Sequence, residues 1–237
     1  QALGFFNNMQ SACGPSLTAF ELIERRPFDF LYKHFDQHRD PISNNHPWYV
    51  LVEISSQNSQ DHAESLMQRA LESGSEQGLV RDAAIASSLA QNKEFWLMRE
   101  NISWAQKHEG ISIKHDISVP IANIPIFLEK AEAAIFKVHP GIRVVCFGHM
   151  GDGNLHYNLS QPEDMAGPDF RAMEHELHQI IYGILGELGG SISAEHGIGQ
   201  MKRDDLARLK AGPEMDMMRA IKDALDPKGI LNPGKLL

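Results

Sequence analysis

The alternation of apolar and polar positions predicts a strand from Ile111 to Val119 with one buried and one polar face. Lys114 and Asp116 would lie on its polar face. The segment Trp48–Ser56 is rich in β-branched and aromatic residues, which predicts a strand. The other predicted strands are Leu79–Ala86, Ile142–Phe147, Leu155–Leu159 and Ser191–Ala194.

Helical spacing of apolar residues, bounded by capping and breaking residues, predicts the helices. Ser16 is placed to cap a helix that runs to Arg26 and that Pro27 would end. Pro41, Asn44 and their neighbours predict a loop over residues 40–47. The other predicted helices are Asp61–Ser73, Ser87–His108, Ile126–Val138, Asp169–Leu188, Met201–Lys210 and Pro213–Leu225.

The turn Gly151-Asp152-Gly153 between two predicted strands is typical of a hairpin. Hairpins favour an antiparallel sheet, so the sequence predicts an α+β fold in which helices pack on a largely antiparallel sheet. Because no internal repeat or linker stands out, we expect residues 1–237 to form one domain.

Composition narrows the class of protein. The 237 residues are 42% hydrophobic and 22% charged, as in globular domains, and the net charge of -9 disfavours nucleic acid and anionic membranes as partners. No apolar run approaches the roughly 20 residues that cross a bilayer, and no signal peptide is visible. Cys13 and Cys146 lack a CxxC spacing, which favours inert thiols in a reducing compartment, cytoplasmic or, in a eukaryote, mitochondrial.

Two histidines flank the glycine turn and are the first candidates for chemistry. A hairpin would let His149 and His156 converge on one point, and imidazole suits zinc and its neighbours. A catalytic metal needs a third ligand, for which Glu195 is the candidate, and the adjacent His196 is free to act as a base.

The residues alone leave other interpretations open. Most of the 12 histidines must have no metal-binding or catalytic role. Asp152 is a competing metal ligand, although an aspartate in a turn more often accepts hydrogen bonds from its own backbone. Glu174, His175 and His178 also have a metal-compatible helical spacing, but a surface helix is the favoured interpretation.

Three segments resemble the signatures of the C-terminal domain of FAD-linked oxidases of the vanillyl-alcohol-oxidase type, in the same order. They are Gly148–His156, Ala194–Gly199 and Leu225–Lys235. Within that family the chain most resembles D-2-hydroxyglutarate dehydrogenases, with D-lactate dehydrogenases and glycolate oxidase flavin subunits as neighbours. The resemblance implies that His149, His156 and Glu195 bind a divalent metal, zinc or manganese, and that His196 is the active-site base.

A 2-hydroxy acid carries a carboxylate, so its site needs fixed positive charge. Arg99 and Ser103 share a face of a predicted helix, and Lys114 projects from the next predicted strand. The resemblance implies that these three contact a distal carboxylate. Asn158, which shares a strand face with His156, is a candidate to help hold the substrate or a metal-bound water. Serine stands at 103 where that branch has threonine, which leaves substrate size open. Without the resemblance, a solvated arginine and a strand-edge lysine are the favoured interpretation.

The resemblance also implies FAD as cofactor, bound mainly by an N-terminal domain of the same parent chain that nothing in this sequence resembles. We therefore expect residues 1–237 alone to bind little FAD and not to turn over, with Asn232 and Lys235 returning toward the FAD domain. Two alternatives are a metal-dependent hydrolase and a non-catalytic domain with a structural metal. The particular hydroxy acid, the electron acceptor and the existence of a homodimer stay open.

Overall fold

A computed structural model describes residues 1–42 and 45–237 and shows an antiparallel sheet with helices on both faces. The strand order is β2-β1-β5-β6-β3, and β4 also pairs with β6. The α+β class and the antiparallel sheet are therefore confirmed. The strands are β1 (Leu17–Glu24), β2 (Trp48–Ile54), β3 (Ser112–Ile113), β4 (Asp116–Ser118), β5 (Arg143–His149) and β6 (Asn154–Ser160).

Several helices pack on this sheet. Two long helices begin at serine caps, where Ser59 accepts from the amide of His62 and Ser88 from the amide of Gln91. The helices are α1 (Ala2–Cys13), α2 (Arg25–His34), α3 (Gln60–Glu76), α4 (Leu89–Lys107), α5 (Ile124–Val138), α6 (Gly167–Ala172), α7 (Glu174–Glu187), α8 (Arg203–Leu209) and α9 (Pro213–Leu225).

Strand alternation divides the core into two layers. Leu22 and Cys146 face the larger layer, which includes α1, α3, α5 and α7. Ile23 and Phe147 face a smaller layer beneath α2 and α4. Cys146 is fully buried, as its apolar run predicts, and the candidate site lies on the face that carries Phe147.

The predicted helix from Ser16 to Arg26 is wrong, because β1 occupies that stretch. Phe20 and Leu22 alternate with Glu21 across a sheet that lies between the two core layers. Pro27 lies in the first turn of α2, where proline does not interrupt a helical hydrogen bond.

The predicted strand Ile111–Val119 is confirmed in position but interrupted. One register joins Ser112 to Ser160 and Asp116 to His156, with a break at residues 114–115 between β3 and β4. The apolar face is buried as expected. Asp116 is only 3% exposed although it lies on the predicted polar face, and the site below explains this.

Other predicted elements need correction. Residues 79–86 form no strand, and among the described residues β2 pairs only with β1. Residues 191–194 supply only an isolated bridge between Ser191 and Ser118. The predicted helix Asp169–Leu188 is two helices, α6 and α7. Within the predicted loop at 40–47, Asn44 lies outside the described residues.

A cavity of about 1440 Å³ lies along β2 and residues 79–87. Its lining includes Arg99 but none of the predicted metal ligands. None of the helices in residues 1–42 and 45–237 has the length and hydropathy that spanning a bilayer requires.

Candidate metal and substrate site

The β5–β6 hairpin brings the two predicted histidine ligands to one face of the sheet. Phe147 pairs with His156, and their ring centroids are 5.0 Å apart, so His149 lies on that face two residues further along. The hairpin is tight at its glycines. A Cβ on Gly148 would lie 2.5 Å from the carbonyl oxygen of Asn154, and one on Gly153 only 2.0 Å from that of Val119.

The three predicted metal ligands converge. Nε2 of His149 lies 3.3 Å from Oε1 of Glu195, and Nε2 of His156 lies 3.9 Å from Oε2 of the same carboxylate. Two atoms that each coordinate one tetrahedral zinc at about 2.1 Å are roughly 3.4 Å apart. Two imidazoles and a carboxylate are a donor set that suits a divalent metal, and each imidazole lies near this spacing from one oxygen of Glu195.

A buried carboxylate touches the other nitrogen of His149. Glu21 lies opposite His149 in the sheet, is 1% exposed, and its Oε1 is 2.6 Å from Nδ1 of the imidazole. The angles are not those of a regular hydrogen bond, so Oε1 is a buried oxygen in close contact with the ring. A carboxylate at the second nitrogen leaves Nε2 for a metal and orients the ring. Sequence reasoning missed Glu21, whose one signal is an acidic residue inside the apolar run Phe20–Ile23.

A second buried carboxylate, Asp116, holds the segment that carries Glu195 and His196. It accepts hydrogen bonds from the amides of Ala194 at 3.2 Å, Glu195 at 3.2 Å and His196 at 2.9 Å, and from the Ser193 hydroxyl at 3.3 Å. Burial raises the pKa of Asp116, but these amide hydrogen bonds outweigh it and hold the pKa below its ordinary value. Sequence reasoning placed Asp116 on a polar strand face and gave it no role.

His196 lies beside the predicted ligands. Its ring stacks on that of His156 with centroids 5.9 Å apart, and its Nδ1 is 3.8 Å from Asp116. Its side chain is 63% exposed, so a substrate can reach it. Among the described residues, Asp116, Glu195 and His196 form the set whose ligand atoms all lie within 4.8 Å of one another, and this set shares only Glu195 with the predicted ligands. Burial, followed by the charge of Arg99, lowers the pKa of His156 and favours neutral imidazole.

Arg99 reaches the site from α4. Its Nε donates to Oε2 of Glu21 at 2.7 Å, and its guanidinium lies 4.7 Å from the centroid of the Phe147 ring. Glu21 therefore contacts both a predicted metal ligand and the predicted substrate arginine. Ser103 is half-buried one turn further along α4.

Lys114 is exposed at the break between β3 and β4. It lies two strands from Phe147, on the order of 10 Å in the sheet plane. The structure therefore places Arg99 and Lys114 on opposite sides of the strand that carries His156, without contact between them among the described residues.

Asn158 belongs to a buried network. Its Nδ2 donates to Oε1 of Gln106 at 3.0 Å and its Oδ1 accepts from the amide of His115 at 3.3 Å. Gln106 in turn donates to Ser112 and Ser160, each at 3.0 Å, which ties α4 to the sheet. Sequence reasoning missed Gln106, although it lies on the same face of α4 as Arg99.

The C-terminal tail returns to the loop that follows His196. The amide of Leu236 donates to the carbonyl of Gly199 at 2.9 Å, and Lys235 Nζ donates to the carbonyl of Pro233 at 3.4 Å. Asn232 has a φ of 51° in this tail. The tail thus brings Asn232 and Lys235 to the end of the molecule that carries His196.

The two histidines of α7, His175 and His178, lie in different environments. Nδ1 of His178 lies 2.9 Å from Nε2 of His115, which is fully buried, whereas His175 is exposed. The favoured interpretation of a surface helix holds for His175, while His178 belongs to a histidine pair that was not predicted.

Comparison with known proteins places this geometry in a family context. Residues 1–236 match the family model described as FAD linked oxidases, C-terminal domain. The chain is 38% identical over 220 residues to a D-2-hydroxyglutarate dehydrogenase of Xanthomonas citri pv. viticola, which covers 93% of this chain and 46% of that protein. It is 34% identical over 237 residues to the mitochondrial D-2-hydroxyglutarate dehydrogenase of Danio rerio, covering 100% of this chain and 43% of that protein. The chain thus spans less than half the length of these relatives.

Proposed function

Because the chain belongs to the C-terminal domain family of FAD linked oxidases, we propose that it forms the metal- and substrate-binding part of a D-2-hydroxy-acid dehydrogenase. Its substrate would be oxidised to the 2-oxo acid. The names of the relatives favour D-2-hydroxyglutarate as the first candidate, and D-lactate is the alternative. The observation that carries the proposal is the convergence of His149 and His156 on Glu195.

His149, His156 and Glu195 would hold zinc or manganese. A divalent cation there would lower the pKa of a coordinated substrate hydroxyl, as it does for water. Nδ1 of His196 faces Asp116, so Nε2 is the atom left to accept the hydroxyl proton. The exposure of His196 lets the proton pass to solvent.

Arg99 would bind the distal carboxylate through its terminal nitrogens, because Nε is committed to Glu21. Ser103 would add a hydroxyl and Lys114 a point charge. Asn158 would steady this arrangement through Gln106.

FAD, when bound, would supply the hydride acceptor. We propose that its binding domain belongs to the half of the relatives' length that this chain does not match, with Asn232 and Lys235 facing it. Residues 1–237 alone would then bind little FAD. The compartment would be cytoplasmic in a bacterium, while the Danio rerio relative is named as mitochondrial.

The metal site can be tested on this chain without flavin. Zinc affinity would be measured by competition with a chelator for wild type, His149→Ala and the control His175→Ala, whose side chain is exposed. His149→Ala should weaken zinc binding by more than the roughly 10–100-fold that loss of an outer-shell partner costs. Wild-type affinity in His149→Ala would refute the proposed site.

The substrate class can be tested by calorimetry on the manganese-loaded chain. Arg99→Ala should weaken binding of D-2-hydroxyglutarate about 10–100-fold more than that of D-lactate, because only the dicarboxylate loses a charge-assisted contact. Arg171→Ala, an exposed arginine on α6, is the control. Equal losses for both acids would contradict a dicarboxylate substrate.

A further inference from the structure

We propose that Asp116 is a positioning residue, which holds residues 193–196 so that Glu195 and His196 face the site. This inference rests on the proposed function, since it takes those two residues as ligand and base. Asp116 would act through the backbone of the segment rather than by touching the substrate.

The Asp116 carboxylate accepts hydrogen bonds mainly from backbone amides. Three consecutive amides, those of Ala194, Glu195 and His196, donate to its carboxylate at 2.9–3.2 Å. Among the described residues no lysine or arginine side chain forms an ion pair with this carboxylate, and Lys202 donates instead to the Asp116 carbonyl at 3.4 Å. A buried carboxylate is costly without partners, so the amides supply the stabilisation that a cation usually provides.

The held segment needs such an anchor. Residues 193–196 belong to no helix or strand, and both Glu195 and His196 are exposed. Gly197 follows at a φ of 76°, so the chain turns away directly after His196. Exposed segments of this kind open locally at small free-energy cost unless they are tied down.

Asp116 also fixes the position of residues 193–196 relative to the sheet that carries the other predicted ligands. Asp116 pairs with His156 across β4 and β6, and His156 pairs with Phe147 on β5, two residues before His149. The position of Glu195 relative to both imidazoles is therefore set through one carboxylate on a neighbouring strand. The sheet is more rigid than this loop segment. Anchoring the segment to the sheet therefore preorganises Glu195 for metal binding.

The test compares Asp116→Asn with Asp164→Asn, an exposed aspartate elsewhere on the surface. Hydrogen exchange of the metal-free chain would be followed by NMR at the amides of residues 194–196. Asp116→Asn should speed their exchange about 10–100-fold, which corresponds to loss of hydrogen bonds to a charged acceptor. Zinc affinity should fall about 10–100-fold, and Asp164→Asn should change neither quantity.

Unchanged exchange at these amides in a folded Asp116→Asn chain would overturn the proposal, including the case in which zinc affinity falls because Asp116 is itself a ligand. Faster exchange with unchanged zinc affinity would overturn it as well. A wild-type chain that binds no zinc would instead count against the proposed function, while exchange would still decide whether Asp116 holds the segment. Should Asp116→Asn not fold, Ser193→Ala removes only the hydroxyl contact and should loosen the same amides less.

Discussion

At the scale of single residues, Glu21 connects the two halves of the candidate site. Its carboxylate touches Nδ1 of His149 and accepts from Nε of Arg99, and all of this occurs at a 1% exposed position. A carboxylate so placed compensates the Arg99 charge and orients a ligand at the same time. The pairing explains why a glutamate is stable inside the apolar strand β1.

Replacing Glu21 with glutamine should therefore destabilise the chain. The amide keeps the shape but leaves Arg99 without a counter-charge, so we expect a loss of about 1–3 kcal/mol in the free energy of unfolding, measured with urea. Glu76→Gln, at an exposed position on α3, is the matched control. A loss no larger than that of the control would show that the contact contributes nothing to stability.

Sequence reasoning found the residues whose chemistry is local and missed those whose role depends on distant pairing. His149, His156 and Glu195 lie in recognisable segments, and the structure brings them together. Glu21 and Asp116 meet partners that lie 128 and 80 residues away along the chain. Pairing of two distant strands creates the Glu21 contact, and packing of a loop against a strand creates those of Asp116. The sequence pattern determines neither.

At the scale of elements, the β5–β6 hairpin depends on glycine at position 153. Its φ is 80°, and a Cβ there would lie 2.0 Å from the Val119 carbonyl oxygen. Gly153→Ala should destabilise the chain by at least about 1–3 kcal/mol and separate the two histidines.

The matched control has the opposite expected sign. Gly183 lies within α7 with nothing within 4 Å of a built Cβ, so Gly183→Ala should stabilise the chain by about 0.5–1 kcal/mol. Thermal unfolding of both variants checks the pair. If Gly153→Ala were as stable as wild type, the hairpin would accommodate the added Cβ beside the Val119 carbonyl without loss of stability.

The errors at this scale also have physical causes. The serine and proline around β1 are local helix signals, but its apolar residues are needed on a sheet between two core layers. The prediction for α4 succeeded within two residues at its start and one at its end, because a serine cap and a long amphipathic pattern agree there.

At the scale of the whole molecule, the fully buried His115, which is paired with His178, makes stability depend on pH. Burial, and then the neighbouring His178, lowers the pKa of His115 to about 3, from 6.5 in an unfolded chain. Between these values the unfolded chain binds a proton that the folded chain does not. Stability should therefore fall as pH drops below 6.5.

The contribution of His115 can be isolated by comparison with His115→Gln. Wild type should lose up to about 1.4 kcal/mol more per pH unit than the variant, since one proton is involved. Comparison with the variant removes the opposite effect of Glu24, whose pKa burial raises to about 7. The free energy of unfolding of both proteins would be measured with urea across this pH range. If it changed with pH equally in wild type and His115→Gln, His115 would take up its proton equally in the folded and unfolded states.

The general architecture followed from hairpin turns and periodicity, whereas the strand order did not. An antiparallel sheet can be predicted from strands that are neighbours in sequence, such as β5 and β6. The strand order depends on pairs such as β1 and β5, which lie more than a hundred residues apart in the chain. Residues 79–86 show the limit, because a segment predicted as a strand forms none where no neighbouring strand of the described residues pairs with it.

The metal site is tested most directly by X-ray absorption spectroscopy of the zinc-loaded chain. We expect one zinc per chain with two imidazoles and oxygen donors at about 2.0–2.2 Å, and one imidazole fewer in His156→Ala. A spectrum without imidazole scattering, or one that the His156 substitution leaves unchanged, would contradict the site.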